Sequence, residues 1–441
     1  MTTLATMMQE GNLAGLRRWL ADAGTLEVAE ELVRLPPADR GVPFRLLAKD
    51  RALAVFEALD PVHQHELLAD LREGAAREIF ERLEPDDRAR LLDEMPAAIA
   101  QRLLTGLNPR ERQLTAILLG YPEQSAGRIM LPEYVALHPA MTIAEAITRI
   151  RAVAPPPETL GALPVTDGGR RLVGVVPLAS LVVAPEDGRV ADLVAPEVHR
   201  VRVDTDQEAA ARLMQEADLL VLPVVDLEDR LVGVITVDDA MEVLEAETTE
   251  DQARTGGAEP LGRPYLSVSV LRLARSRAIW LLALIVAAVL TVNVLQFFEE
   301  ALAATVTLAL FIPLLIDTGG NAGAQSATTV VRAMAVGEIR FGDLARVIVR
   351  ETGTGLLLGG MLGALGYIPV AAFFGPQLAL VVSLTLTVVC TLASATGALL
   401  PLLARRVGVD PAVVSAPLVT TLVDATGLVV YFLLARVVLT V

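Results

Sequence analysis

Cysteine is almost absent: Cys390 is the only one, and it lies inside an apolar run. A disulfide framework and a cysteine-based metal site are therefore excluded. Also missing is a basic segment followed by an apolar run within Met1–Arg18, so no cleaved leader is expected. No nucleophile–base pair, Walker-type glycine loop or H-E-x-x-H spacing occurs, so no enzyme is expected. Between Glu351 and Arg405 there is no charged residue at all. That stretch fits two membrane crossings, because a spanning helix takes ~20 mostly apolar residues.

What is present divides unevenly. Of 441 residues 53% are hydrophobic and the mean hydropathy is +0.51, which points to a membrane protein. Residues 263–441 carry 11 basic and 8 acidic side chains, and residues 1–262 carry 26 and 45. The first part is thus a soluble assembly with a net charge of −19, and the second is membrane-embedded. Phosphate would be repelled by such a surface, which argues against nucleic acid as a partner. The acids favour cations, or serve solubility alone.

Residues 1–128 read as an acidic helical array. Pro37, Pro61, Pro85 and Pro109 recur every 24 residues, within the related texts LDPVHQHELLADL, LEPDDRARLLDEM and LNPRERQLTAILL. Proline suits the first turn of a helix, where its missing N–H costs nothing. Leucines then follow at helical spacing, so stacked helical hairpins forming a superhelix are expected. Asp86, Asp87, Asp93 and Glu94 read as solvated helix surface, and His63 and His65 fall on different sides of a helix, which disfavours a metal site.

Residues 129–249 contain a duplication, LPVTDGGRRLVGVV from Leu163 and LPVVDLEDRLVGVI from Leu222, offset by 59. Each copy reads as strand, polar turn and strand. Each follows a helix, Thr142 to Val153 in one and Asp206 to Glu216 in the other. The pattern resembles a tandem pair of CBS domains, 129–190 and 191–249. CBS pairs often hold adenine nucleotides on a Gly-x-x-Thr-x-x-Asp stretch. The second copy has it as Gly233, Thr236 and Asp239, and the first has Pro177 and Ser180 instead, so the resemblance allows ATP at one site.

Seven acids and no base occupy Asp238 to Asp251. Acids at helical i, i+3 and i+4 spacing repel one another, so the run either holds divalent cations or is an acidic linker. The segment 250–270 starts helical and breaks at Gly256, Gly257, Pro260, Gly262 and Pro264. It connects the acidic part to the membrane part.

Residues 271–441 show five spans. The first runs from Ala278 to Phe298. The second lies between Glu300 and Arg332 and is interrupted by Pro313 and the polar run DTGGNAGAQSAT from Asp317. The third and fourth meet at Gly375–Pro376, and the fifth runs from Pro411 to Ala435. Arg272, Arg275 and Arg277 precede the first span. Arg332, Arg340, Arg346 and Arg350 fall in the second-to-third loop, and Arg405 and Arg406 in the fourth-to-fifth. Basic loops stay inside, so the soluble domains are cytoplasmic and the C-terminus lies outside a multi-pass cell-membrane protein. Gly355, Gly359 and Gly363 form one face for close helix approach, and Gly319 with Gly323 another.

Asp424 sits near the middle of the fifth span, where an acid costs roughly 2.5–3.5 kcal/mol. It is either a structural carboxylate or part of an ion pathway. Asp317, Asn321, Gln325, Ser326 and Thr328 are polar within the second span, which is tolerated only against protein or a water-filled cavity.

PLLIDTGGNAGAQSAT from Pro313, DPAVVSAPLVTTLVDATG from Asp410, the acidic TED at Thr249 and the CBS pair together resemble the MgtE family of magnesium channels. The resemblance runs in order along essentially the whole chain. It implies a homodimer whose pore is lined by the second and fifth spans, with Asp424 of each subunit holding hydrated Mg²⁺. It further implies regulatory Mg²⁺ on the cytoplasmic domains, at Asp86, Asp206, Glu208, Asp218, Asp239, Glu242, Glu247, Glu250, Asp251 and Asp410. Cation binding there would hold a connecting helix over the pore and shut it. Arg90 stands where the family pattern has a second acid, and Ala416 replaces a polar residue near the cytoplasmic end of the pore. A proton- or Na⁺-coupled divalent-cation transporter is the alternative function, although no inverted repeat of broken helices is seen.

Overall fold

The computed structural model describes residues 4–9, 12–71, 73–93, 95–195, 197–261, 265, 268–414 and 416–439, so Glu94, Gly262, Pro264 and Ser415 lie outside the described residues. The chain falls into two compact units, Met1–Ala246 and Glu247–Val441.

The first unit opens with short helices, α1 (Leu4–Gln9), α2 (Leu13–Asp22), α3 (Thr25–Arg34), α4 (Pro37–Phe44), α5 (Lys49–Glu57), α6 (Pro61–Asp70), α7 (Glu73–Arg82), α8 (Pro85–Asp93), α9 (Ala97–Gly106) and α10 (Pro109–Leu119). Each proline of the 24-residue repeat begins a helix, namely α4, α6, α8 and α10. Asp60 caps α6 through the amides of Val62 and His63, and Asn108 caps α10 through Glu111. His63 is buried and its ring is bonded to the Asp60 carboxylate, so it serves this cap. Val28, Leu32, Phe56, Phe80 and Leu91 form a core that threads the array. Fully buried Arg88 ties α8 to α10, bonding the Thr115 hydroxyl, the Glu81 carbonyl and the Glu111 carboxylate.

The duplicated segment follows, with α11 (Ile143–Val153), β1 (Ala162–Thr166), β2 (Leu172–Pro177), α12 (Leu178–Val183), β3 (Val201–Arg202), α13 (Gln207–Glu216), β4 (Val221–Val225), β5 (Leu231–Thr236) and α14 (Val237–Thr255). β1 pairs antiparallel with β2 and β4 with β5, each pair with a register shift before its last residue, while β3 runs parallel to β4. The turns match as well. Asp167 Oδ1 accepts the amides of Gly169 and Arg171, and Asp226 Oδ1 those of Glu228 and Arg230. This is how an Asx side chain substitutes for a backbone turn. The two turns meet directly, Leu172 N donating to Asp229 O and Leu231 N to Arg170 O, which makes the copies a pseudo-symmetric pair.

The second unit begins within α14, which is continuous from the second copy to Thr255 and is followed by Gly257 at φ 69°. Glu247, Glu250 and Asp251 therefore ride on the C-terminal turns of that helix rather than on a separate connecting helix. Beyond it come α15 (Val270–Phe297), α16 (Glu299–Ala304), α17 (Ile312–Ala335), α18 (Leu344–Phe374), α19 (Pro376–Arg406) and α20 (Ala416–Leu439). Among the described residues, five stretches are long and apolar enough to cross a membrane: α15, Val306–Ala335, Phe341–Phe374, α19 and α20.

The second span departs from expectation. The polar run does not interrupt it: α17 is one continuous helix with Pro313 in its first turn. The irregularity lies earlier, at Thr305 and the 3-10 turn Val306–Phe311. Pro313 starts the helix, and the run's glycines are accommodated because neighbouring helices cover them. Arg346 and Arg350 lie inside α18 rather than in the preceding loop. Gly375, at φ 93°, makes the tight joint between α18 and α19, a conformation that favours glycine. The glycine face of α18 packs on α19: a methyl at 355 would lie 2.5 Å from the Cys390 carbonyl oxygen, and one at 359 2.7 Å from Thr387 Cα.

Candidate functional site

The sequence of α17 sorts its residues onto two faces. Gly319, Gly320, Gly323, Ser326 and Ala327 are buried against α19 and α20. Methyls at 319 and 323 would lie 2.4 Å from Val389 Cγ1 and 3.0 Å from Val419 Cγ1, so only glycine allows this approach. Ser326 donates to the Ser394 carbonyl at 2.8 Å. On the other side Asp317, Asn321, Gln325 and Thr328 are exposed, at the i, i+4, i+8 and i+11 positions of one helical stripe. The Asn321 and Gln325 amide groups make no hydrogen bond among the described residues.

Asp424, half-buried on α20, sits against this element: a methyl on Gly320 would lie 3.6 Å from its Oδ1 and 3.2 Å from Thr420 Cγ2. The structure thus brings Asp424 beside the helix of Asp317 and Asn321, on two elements whose close approach the glycines permit. Ala416 is the first residue of α20.

A second acidic centre lies in the first unit, where α8 meets the second copy. Asp86 is buried, and its Oδ1 has no hydrogen-bond partner among the described residues. Burial, and then the charges of Asp239, Asp87 and Glu84, hold its carboxyl well above the usual carboxylate range. Burial pushes Glu84 up to about 8, helped by Glu158 and Asp87. It pushes Glu57 to about 7, helped by Asp87 and Glu158. Asp239 is raised to about 6, chiefly by burial and against the hydroxyl of Thr236, which donates to its Oδ2 at 2.7 Å. Crowded carboxylates of this kind favour a proton or a bound cation over bare ionisation. Asp86 is therefore no solvated surface acid. Glu57 and Glu158 carry no signal in the sequence, because they reach Glu84 and Asp87 from segments distant along the chain.

The remaining predicted acids are more dispersed. Asp206 is exposed and caps α13 through the Ala209 amide, and Glu208 pairs with Arg212. Asp218 is exposed in a left-handed conformation at φ 51°. Glu242 pairs with Arg90. In the second unit Arg254 bridges Glu250 of α14 and Asp410, which caps the turn leading to α20 through the Ala412 amide. Those two carboxylates and the other charges nearby push the Arg254 guanidinium up against burial. Glu247 and Asp251 are half-buried on the same helix. Among the described residues no three His, Cys, Asp or Glu side chains converge to cage a metal ion. Gly233, Thr236 and Asp239 are neighbours, but a methyl at 233 would lie 2.6 Å from Met130 Sδ, and Thr236 is fully buried. Of the three, only Asp239 is not fully buried.

Comparison with known proteins gives this geometry a context. The family described as a divalent cation transporter, MgtE, matches residues 312–434, the MgtE intracellular N domain matches 24–124, and CBS domains match 126–187 and 190–246. The magnesium transporter MgtE of Thermus thermophilus is 45% identical over 75% of this chain and 73% of its own length. That of Enterococcus faecalis is 33% identical over 72% and 70%. A crystal structure of the cytosolic domain of the Mg²⁺ channel MgtE in complex with ATP aligns with 55% of this chain and 98% of its own, at 42% identity and a TM-score of 0.51. Transporters, not enzymes, are thus the relatives that share its length, and with family matches over the array, the paired repeat and the spans, the chain belongs to the MgtE family of magnesium transporters.

Proposed function

We propose that this protein is a Mg²⁺ channel of the cell membrane, a homodimer whose pore runs between α17 and α20 of the two subunits and which cytoplasmic Mg²⁺ closes. The observation that carries the reading is the exposed stripe Asp317, Asn321, Gln325 and Thr328 on a membrane-spanning helix. Lipid cannot satisfy such groups, so they require water or a second protein surface. Asp424, beside that stripe, is the permeation carboxylate. Mg²⁺ gives up its waters reluctantly, so a wide pair of aspartates acting through water suits it better than a tight cage.

The first unit, the N-terminal turns of α15 and the arginines at the ends of α17, α18 and α19 belong on the cytoplasmic side, which leaves the C-terminus outside. Gating follows from charge. With Mg²⁺ scarce, the acids of α8, α13 and α14 repel one another, and with Mg²⁺ plentiful, cations bridge them and select the closed state. Asp86 with Asp239, and Glu247, Glu250 and Asp251 with Asp410, are the sensing groups this reading assigns, together with Asp206, Glu208, Asp218 and Glu242. ATP enters through the relative crystallised with it, and of the Gly233, Thr236 and Asp239 set only Asp239 favours it here. A titration of the purified protein with ATP tests that part.

The decisive record is a patch-clamp trace with Mg²⁺ varied on the cytoplasmic side. Discrete Mg²⁺ currents that fall as cytoplasmic Mg²⁺ rises are expected. Saturating flux tied to a proton or Na⁺ gradient, without unitary currents, would instead establish the coupled-transporter alternative.

A further inference from the structure

The helical array holds a cavity of about 620 Å³ between α6, α7 and α9, and its lining shares no residue with the acidic centre. Packed interiors contain few voids larger than a water molecule, whereas small-molecule sites run to ~300–1,000 Å³. The volume therefore suits a ligand. Its origin is local. α6 ends at Leu71, whose extended backbone at ψ 151° turns the chain away before α7 begins. Across the gap α7 and α9 present small residues, Gly74, Ala76 and Gly106. A methyl on Gly74 would meet nothing within 4 Å, and one on Gly106 would first meet the Arg77 side chain, at 3.6 Å. The gap stays open because no side chain reaches into it.

The wall has two kinds of surface. Leu68, Leu71 and Met95 supply an apolar part continuous with the core of the array. Among the described residues that line the cavity, every titratable group is basic: His65, Arg77 and Arg102. That runs against composition, because residues 1–262 carry 45 acids and 26 bases. Arg77 donates from Nε to Glu81 at 3.1 Å, while its Nη atoms make no hydrogen bond among the described residues. Arg102 is exposed and makes no ion pair among them. His65 Nδ1 is buried without a partner there, which leaves Nε2 as the ring atom able to meet a ligand. Guanidinium groups match oxyanions in a two-pronged geometry, and they repel cations.

We propose that this cavity binds a small amphipathic anion, with an apolar body against Leu68, Leu71 and Met95 and an oxyanion head on Arg102 and Arg77. The helical array then has a ligand site of its own, separate from the acidic centre and from the Gly233, Thr236 and Asp239 stretch. Nothing in the proposal depends on the transport reading. Two sources carry this chemistry, a soluble aryl acid and a membrane-derived acyl chain.

Methionine methyl NMR of the full-length protein in lipid nanodiscs tests it, because Met95 lies in the wall and reports from inside the cavity. Its signal is the one lost in Met95→Leu. Titration with 2-naphthoate or with dodecanoate is expected to shift that signal saturably. The acid that acts at the lower concentration identifies the source, soluble aryl acid or acyl chain. Arg102→Glu should weaken the response by roughly tenfold or more, since it removes a charge-assisted bond and adds a repulsion. Arg17→Glu, an exposed change of the same charge on α2 outside the cavity, should leave it unaltered. Unmoved Met130 and Met214 signals, from the separate core of the second copy, show that the variant is folded. Arg102→Gln, expected to weaken binding severalfold, replaces Arg102→Glu where those signals move. A Met95 signal that neither acid shifts overturns the proposal. So do equal shifts with the uncharged 2-naphthamide and dodecanol, or undiminished binding by the Arg102 variant.

Discussion

Replacing Gly397 by alanine should separate the two helices that form the wall behind the polar stripe of α17. A methyl on Gly397 would lie 2.3 Å from the Gly323 carbonyl oxygen and 3.1 Å from the Ala327 amide nitrogen. Both neighbours are backbone of α17, so no side chain can rotate away. Ordinary contact requires α17 to withdraw by roughly 1 Å from α19, an overpacking cost of about 1–3 kcal/mol. The 2.8 Å bond from Ser326 to the buried Ser394 carbonyl lies in the same interface. Its loss would add about 1 kcal/mol. Because α17 also carries Asp317 and Asn321, the displacement should lower Mg²⁺ flux as well as stability. The assay is thermal unfolding in detergent together with Mg²⁺ uptake into liposomes. Gly360→Ala is the control, since a methyl there meets nothing within 4 Å. It should be neutral, or stabilising by up to about 1 kcal/mol through helix propensity. A Gly397→Ala protein that melts and conducts like the unaltered one would refute the packing argument.

Other consequences follow from the first unit. Arg88→Met leaves Glu111 without its buried partner and should cost about 3–5 kcal/mol, read as a fall in the denaturation midpoint of the array; an unchanged midpoint would show that the buried guanidinium contributes nothing. The raised carboxyls of Glu84, Glu57 and Asp239 set a pH dependence. Groups held above their unfolded pKa support the fold most below that value, and the support fades as pH rises from about 4.5 toward about 8 for Glu84. Mg²⁺ competes with those protons, so the rise in melting temperature on adding Mg²⁺ should be larger at pH 8.5 than at pH 6. Equal shifts at the two pH values would contradict the assignment of these acids to a cation centre. Tyr431→Phe removes a buried 3.0 Å bond to the Leu308 carbonyl and should cost about 1 kcal/mol, measured by the same melts.

Much of this architecture is written locally. The 24-residue proline repeat marks true helix starts because proline acts within its own first turn. The 59-residue offset aligns β1 with β4 and β2 with β5 because the paired Asx turns are made by residues two to four apart. Gly375–Pro376 announces the joint between α18 and α19 for the same reason. What distant contacts decide was not legible. Asp86 has the text of a surface acid, and its burial comes from a helix more than a hundred residues later. Glu57 and Glu158 come up to Glu84 and Asp87 from segments distant along the chain. The polar run of α17 reads as a break, since glycine and asparagine disfavour helices, but packing by α19 and α20 overrides that preference. The stripe itself was half visible: the polar residues are evident, and which of them face outward needed the helix to be continuous.

Asp424 is proposed above as the permeation carboxylate of a two-subunit pore. Mg²⁺ uptake into liposomes holding Asp424→Ala protein, with the oligomer checked by cross-linking, tests it most directly. An intact dimer and abolished uptake are expected. Uptake at the unaltered rate would contradict it.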